Sequence, residues 1–522
     1  MSSYTKDATK AGDTVDVADR ASTIDQEISK SAIVAADEAD AGLELYSQAL
    51  ELDAEHLQRL ARRVRWKLDF ILLPLMCAVY MVGFMEKTTL NYANAFNLRK
   101  DLGIEGYQYS WIVAVAALGL MVGAYPSSLV IQKYPLGKVM TVLIFFWGLL
   151  TMVIAAAKGF GSVLALRFLL GLTEAAMGPA WLILTSMFYT RDEQPLRMCI
   201  YLGSNGLANI LAAGICVGLG SVDDAALQPW QLIFLVVGAI AILLSAVCFF
   251  LLPSTPADAR FLTKDEKLAA VWRIAQNQTG VKHEKVLKYQ IREALCDVRV
   301  YCLLVQQFAI GMINGALGGY YSALLRGFGW SSLQTVRYQL PSGAVQLVAS
   351  CIAGYLASRF RNVTIIIILV LAAFAVAALV GFTTIPASDK WALTSCVWIV
   401  NAYGGAIVLN WAIVAANFAG HTKRTTVNGI NFVAYWGGNF AGPFVFDPSE
   451  APRYHSATMV LGIMLGTGWL VTAAMGVDMW YVNRKRDAKA AAGQQEYVAG
   501  EGGIEGFTDK TDKENKSFRY RY

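Results

Sequence analysis

Arg167-Phe-Leu-Leu-Gly-Leu-Thr-Glu174 sets a cation and a carboxylate in a run that is otherwise apolar. Their separation of seven residues is two helical turns, so both side chains project from one face. An ionisable group at the centre of a bilayer costs roughly 2.5–3.5 kcal/mol on insertion scales. Upstream, Glu86-Lys87 follows another apolar run and sets a second acid–base pair. A membrane chain that accepts this cost for two opposite-charge pairs is expected to move a charged solute, a proton or both.

Composition points to the same class. The 522 residues are 56% hydrophobic and only 16% charged, with mean hydropathy +0.43, against about 25% charged in an ordinary soluble domain. A net charge of +5 is small, and the basic residues lie beside apolar runs, so no nucleic-acid partner is indicated. The eight cysteines are scattered without a CxxC pair and read as small apolar packing residues, not as a disulfide or metal framework. No P-loop, nucleophile elbow or metal-spaced His/Cys cluster occurs, so neither an enzyme nor an ATP-driven pump is expected, and no cofactor is called for.

A membrane span needs about 20 apolar residues, and twelve candidates follow one another. Six lie near 68–92, 108–131, 138–157, 161–187, 196–220 and 229–252; six more lie near 301–325, 334–357, 364–383, 391–416, 426–446 and 456–482. Six, a polar linker, then six is the layout of two-halved secondary transporters. The expected division is an N-terminal tail over 1–65, a first bundle over 66–252, a linker over 253–298, a second bundle over 299–486 and a C-terminal tail over 487–522. Arg59, Arg62, Arg63, Arg65 and Lys67 precede the first span, and Arg484, Lys485 and Arg486 follow the last. With the basic linker, they predict that both termini are cytoplasmic. Residues 1–55 hold thirteen acidic and four basic residues, too polar to bury a core, although 43–60 fits a short amphipathic helix. Both tails are expected to be mobile.

Tyr189-Thr-Arg-Asp-Glu-Gln-Pro-Leu-Arg197, Ala259-Arg-Phe-Leu-Thr263 and Ala419-Gly-His-Thr-Lys-Arg-Thr-Thr-Val-Asn428 resemble signatures of the fungal allantoate permease family, anion:cation symporters of the major facilitator superfamily. Glu86-Lys-Thr-Thr-Leu-Asn-Tyr-Ala93, Gln108-Tyr-Ser-Trp111, Tyr134-Pro-Leu-Gly-Lys138, Gln339-Leu-Pro-Ser-Gly343 and Ala451-Pro-Arg-Tyr454 extend the likeness from about Trp66 to Arg486. The resemblance implies an all-α polytopic protein of the major facilitator fold, twelve transmembrane helices in two six-helix bundles around a cavity open alternately to each side. It also implies import of a small organic anion, a carboxylate such as allantoate, nicotinate or pantothenate, by proton symport across a fungal plasma membrane. The expected partners are that anion, protons and the lipid bilayer, with the chain working as a monomer. Two departures stand out. The loop Gln132–Lys138 lacks the acid usual in the superfamily, and Glu86 replaces the commoner Asp before the lysine of the first span.

By that resemblance Glu86 and Glu174 couple protons, while Lys87 and Arg167, the latter within Arg167-xxx-Gly171-xx-Glu174, bind the anion. The chemistry is sound in itself. A carboxylate ligand needs a cation, and a proton carrier needs a carboxylate whose cation can be taken from it. Structural readings stay open: Arg167 and Glu174 also suit a static pair, and Glu86 and Lys87 a hydrated outer boundary. Embedded charge is almost confined to the first half, so the second half is expected to supply neutral contacts. Asn205, Asn314, Tyr320, Gln346, Asn431, Tyr435 and Asn439 are the candidates to line the cavity, with Asn410 and Asn417 weaker. Export of an acidic metabolite, or solute sensing without transport, remain the rival functions.

Overall fold

A computed structural model of the chain describes residues 48–49, 52–190, 193–222, 226–275, 287–360, 362–451, 454–492, 511–516 and 518–522. Among the described residues every regular element is helical. Helix α1 (Ala54–Lys67) runs through a π turn at Leu68–Leu72 into α2 (Leu73–Ala95), followed by α3 (Gln108–Lys133) and α4 (Leu136–Ile154). Then come α5 (Phe160–Glu174), α6 (Met177–Phe188), α7 (Gln194–Leu219) and α8 (Pro229–Leu251). The linker carries α9 (Lys264–Ala275) and α10 (Lys288–Leu295). The second half holds α11 (Val298–Gly327), α12 (Leu340–Arg359), α13 (Thr364–Thr384), α14 (Lys390–Val400), α15 (Tyr403–Asn417), α16 (His421–Ala441) and α17 (His455–Ala491).

Eleven of the twelve expected spans are helices long and apolar enough to cross a membrane. The remaining one, α16, begins at His421 instead of near 426 and carries Lys423, Arg424 and three asparagines, which lower its hydropathy. It is packed as a span nonetheless. A Cβ added at Gly438 would sit 2.2 Å from the Phe308 carbonyl oxygen of α11, so only glycine permits that approach. Close contact through small residues is the usual way membrane helices associate when lipid removes the hydrophobic drive between them.

Three expected spans are each interrupted once, the eighth at Tyr338–Gln339 between a short helix (Ser332–Arg337) and α12. The fourth breaks between α5 and α6 at Ala175–Ala176, and the tenth breaks between α14 and α15 at Asn401–Ala402. These are the fourth helices of the two halves. Both breaks are shallow: Ala175, Ala176, Asn401 and Ala402 keep right-handed helical dihedrals, and the Ala175 amide still donates to the Gly171 carbonyl.

Each part of the linker rides on one half. Lys67 meets Glu266 at 2.6 Å and Arg273 meets Glu193 at 2.5 Å, tying α9 to the first half. Burial alone would raise the Glu266 carboxyl, but Lys67 and the backbone amide of Thr263 outweigh it and hold it below the ordinary carboxylate range. In the second half, α10 is held by Lys423, whose ammonium is fully buried beside Glu293 at 2.9 Å, Asp297 at 3.2 Å and Asp512 at 2.7 Å.

Asp512 belongs to the C-terminal segment. Residues 511–516 and 518–522 are packed on the linker side of the second half, where composition led us to expect a mobile tail from 487 onward. Asn483 Nδ2 donates to the Tyr520 carbonyl at 2.8 Å, and the Tyr520 amide returns to Asn483 Oδ1 at 2.9 Å. Asn417 clasps the backbone of Arg521 in the same two-sided way, at 2.8 and 2.7 Å. Helix α17 also runs to Ala491, past the expected end of the last span at 482. Of the expected N-terminal tail over 1–65, residues 1–47 lie outside the described residues, and 54–65 form most of α1.

Candidate functional site

The charged site starts from how closely α5 lies on α3. A Cβ at Gly171 would fall 2.1 Å from the Ala116 carbonyl oxygen, so the glycine just past the middle of the Arg167–Glu174 motif sets the helix contact. That contact fixes the face on which the motif's two charged residues stand. Helix α2 contributes its own adjacent pair, and the four groups combine crosswise. Arg167 Nη1 lies 2.6 Å from Glu86 Oε1, and Lys87 pairs with Glu174. Arg167 and Glu174 therefore do not form a pair with each other; each reaches across to the first span.

The two pairs have different surroundings. Arg167 and Glu86 are sealed, with side-chain exposures of 6% and 4%. The Lys87 side chain is 35% exposed and its ammonium stands 5.1 Å from the centre of the Trp436 ring of α16. Lys87 thus faces the space between the halves, with an aromatic face opposite and a displaceable carboxylate beside it. Arg167 Nε is buried with no hydrogen-bond partner among the described residues, a spare donor next to the sealed pair.

The second half meets this charge with neutral groups. Asn314 Nδ2 donates to Asn439 Oδ1 at 2.7 Å, and Tyr403 OH donates to Asn314 Oδ1 at 3.2 Å. Asn439 in turn donates to the Tyr435 carbonyl at 2.9 Å, and the Tyr435 ring meets Trp436 edge-on at 5.2 Å. Gln346 accepts from Asn209 of the first half at 3.0 Å, joining the halves at mid-depth. Asn205 is partly buried on α7, with its carbonyl oxygen unpaired among the described residues.

Other sequence candidates lie elsewhere. Tyr320 does not line an open wall. It is stacked flat on Phe446 at 4.2 Å and bonds Ser110 at 2.6 Å, within a layer that closes the halves together. Asn91 to Gln339 at 2.8 Å, Tyr109 to the Gly319 carbonyl at 2.8 Å and the Ser322 amide to Asn91 at 2.7 Å belong to the same layer, on the side away from the linker. Asn431 is fully buried on α16 with both amide atoms unpaired among the described residues, as is Gln307 on α11, so both sit inside the second half. Asn410 bonds Gln306 at 2.6 Å, also internally, and Asn417 belongs to the tail clasp.

Trp436, Tyr403 and Asn209 escaped the sequence reading. Aromatic residues in spans are too common to single out, and Asn209 gave no signal beyond its type. The helix breaks at 175–176 and 401–402 carry no proline and were equally silent. Among the described residues no group of three His, Cys, Asp or Glu is placed to hold a metal ion.

Comparison with known proteins now bears on this geometry. Residues 76–443 match the family model of the Major Facilitator Superfamily. The allantoate permease of Saccharomyces cerevisiae is 34% identical over 93% of this chain and 90% of its own length. An uncharacterized transporter of Schizosaccharomyces pombe is 34% identical over 91% of this chain and 92% of its own. The thiamine pathway transporter of S. cerevisiae is 28% identical over 89% and 88%. Among solved structures, the xylose transporter XylE of E. coli, partially occluded and inward open, superposes with a TM-score of 0.58 at 12% identity, covering 78% of this chain and 96% of that one. That likeness extends to the fold alone.

Proposed function

The chain belongs to the Major Facilitator Superfamily, within its fungal allantoate permease family, and on that premise we propose that it imports a small organic anion with protons. The observation that carries this reading is Lys87, an intramembrane cation that faces the inter-half space between Glu174 and Trp436. A carboxylate solute replaces Glu174 on the Lys87 ammonium, and its apolar or ureido body lies on the Trp436 face. The permease relative supports a ureido acid or similar carboxylate as the solute class.

Coupling follows from charge balance. Glu86, Lys87, Arg167 and Glu174 in their ionised forms sum to zero. A bound monoanion leaves Glu174 without its cation in a region of low dielectric, and one proton restores neutrality. Anion and proton therefore favour each other's binding, which is symport expressed as a coupling free energy. Moving a monoanion inward costs about 2.3 kcal/mol per 100 mV; one co-transported proton cancels that charge movement, and a second makes uptake voltage-driven. The sealed Arg167–Glu86 pair holds α5 against α2 and keeps the Arg167 donor in reserve beside the solute.

In this reading the protein sits in the plasma membrane as a monomer, with the linker and both termini in the cytoplasm. The basic residues flanking the first and last spans support that orientation. The closed layer around Tyr320, Asn91 and Gln339 is then the outer gate. The test is uptake of a labelled carboxylate panel into permease-deficient yeast, at pH 5 and 7.5, with and without a protonophore. Accumulation of one acid that collapses with the protonophore supports import. Efflux of that acid from preloaded cells against its gradient, without uptake, overturns it in favour of export.

A further inference from the structure

On the linker side of the second half, a cavity of about 330 Å³ is lined by Val482, Lys485, Arg486, Lys489, Lys513 and Lys516. Five of these six are cations and none is acidic. The volume falls in the lower range of small-molecule sites. Two walls make it: the last turns of α17, and the C-terminal segment that returns over them.

The charge is largely uncompensated. Among the described residues, Lys485, Lys489 and Lys516 have no acidic partner, and only Lys513 has one, Asp297 at 3.1 Å. Arg486 is spent on backbone carbonyls, donating to Phe518 at 2.6 Å and Asp512 at 2.9 Å. Lys485 and Lys489 stand one helical turn apart, where like charges disfavour the helix. The returning segment brings two more lysines to the same place. It is held there by fixed contacts: the Asn483 and Asn417 clasps, and the Tyr520 ring lying 4.0 Å from the Arg299 guanidinium. A concavity that gathers five cations, three of them without an acidic partner among the described residues, is a receptor for a clustered anion.

Position narrows the chemistry. Trp480 and Tyr481 are exposed on α17 and mark the polar boundary of a bilayer. Lys485 and Lys489 follow within roughly 8–14 Å along the helix at 1.5 Å per residue, at headgroup level. Basic pockets at this depth hold phosphorylated headgroups.

We propose that this cavity binds a polyphosphorylated group, either the headgroup of an inositol phospholipid or a soluble inositol polyphosphate. Because Lys513 and Lys516 come from the returning segment, the ligand staples that segment to α17. Ligand binding and segment docking then stabilise each other by linkage. The site is separate from the Lys87 cavity and does not depend on which solute is carried.

The test uses full-length protein in phosphatidylcholine nanodiscs. One arm titrates inositol hexakisphosphate. The other places phosphatidylinositol bisphosphate in the disc and follows hydrogen exchange of the Tyr520 and Arg521 amides. Lys485→Gln/Lys489→Gln removes charge from the helix wall, and Lys516→Gln removes it from the other wall without touching the Lys513–Asp297 pair. Binding is expected to weaken at least tenfold in the double variant and several-fold in Lys516→Gln, with slowed exchange at Tyr520 and Arg521 when ligand is present. A response in the soluble arm alone assigns a free polyphosphate, and a response in the disc arm alone assigns the lipid. No saturable binding in either arm overturns the proposal. So does binding that Lys516→Gln leaves unchanged, since a plain basic helix surface would behave that way.

Discussion

Arg167 reaches across from the fourth span to Glu86 of the first at 2.6 Å, and both side chains are buried. Seven residues on, Glu174 makes the same crossing to Lys87, but at the edge of the space between the halves. One motif thus supplies a sealed pair and an open pair, and the two should respond differently to mutation.

For the sealed pair, loss of one partner leaves an uncompensated buried charge, at a cost of about 3–5 kcal/mol. Arg167→Ala is expected to lower the thermal unfolding midpoint of detergent-solubilised protein sharply. Glu86→Gln/Arg167→Met, which removes both charges at similar volume, should recover most of that loss while transport stays absent. Equal midpoints for Arg167→Ala and the parent would mean that the pair does not hold the helices.

The open pair should behave in the opposite way. Partly hydrated ion pairs contribute about 0–1 kcal/mol, so Lys87→Ala should unfold near the parent midpoint yet lose uptake at least tenfold. Trp436→Ala removes a cation–π contact worth roughly 0.5–2 kcal/mol, and should weaken apparent affinity several-fold while Trp436→Phe keeps most of it. Concentration dependence of uptake, normalised to surface protein, checks both.

Helix contact explains a third expectation. A side chain at Gly171 meets the backbone of Ala116, whereas a Cβ at Gly178 has nothing within 4 Å. Gly171→Val should abolish the folded, membrane-inserted protein. Gly178→Ala should be tolerated, and size-exclusion profiles of fluorescent fusions separate the two.

The docked C-terminal segment should release in acid. Burial raises the Asp297 carboxyl, but Lys423 and Lys513 outweigh burial and hold it below the ordinary value. A depressed native value contributes stability that is complete above the unfolded value of about 3.9 and is lost as pH falls through the native one. Proteolysis of residues 511–522 is therefore expected to stay slow at pH 5–7 and quicken below about pH 4. Asp297→Asn should make it fast throughout.

The spans were readable because lipid demands long apolar runs, and only α16 broke that rule, with Lys423, Asn431 and Asn439 buried and Arg424 and Asn428 exposed. The embedded charges were readable for the complementary reason: their cost makes them conspicuous. Their crosswise pairing was not, since spacing along α5 says nothing about which helix faces it. Four of the eight resemblance signatures lie at the linker side, and the other four reach the charged pairs or the closed layer opposite. Glu193 and Arg197 bond Arg273 and Asp69, the Phe261 carbonyl accepts from Lys67, and Lys423 gathers three carboxylates. The linker-side signatures therefore identify the scaffold more than the solute. The docked segment was hidden because its stability comes from asparagine clasps and one buried ammonium, not from apolar residues that a composition scan registers.

The most direct measurement of the central claim is solute-driven proton movement in proteoliposomes carrying an internal pH-sensitive dye. With the acid identified by the uptake panel added outside, the account predicts internal acidification by the parent protein, none by Glu174→Gln, and solute entry that rises with an inward proton gradient. Solute entry by the parent without any proton movement would contradict it.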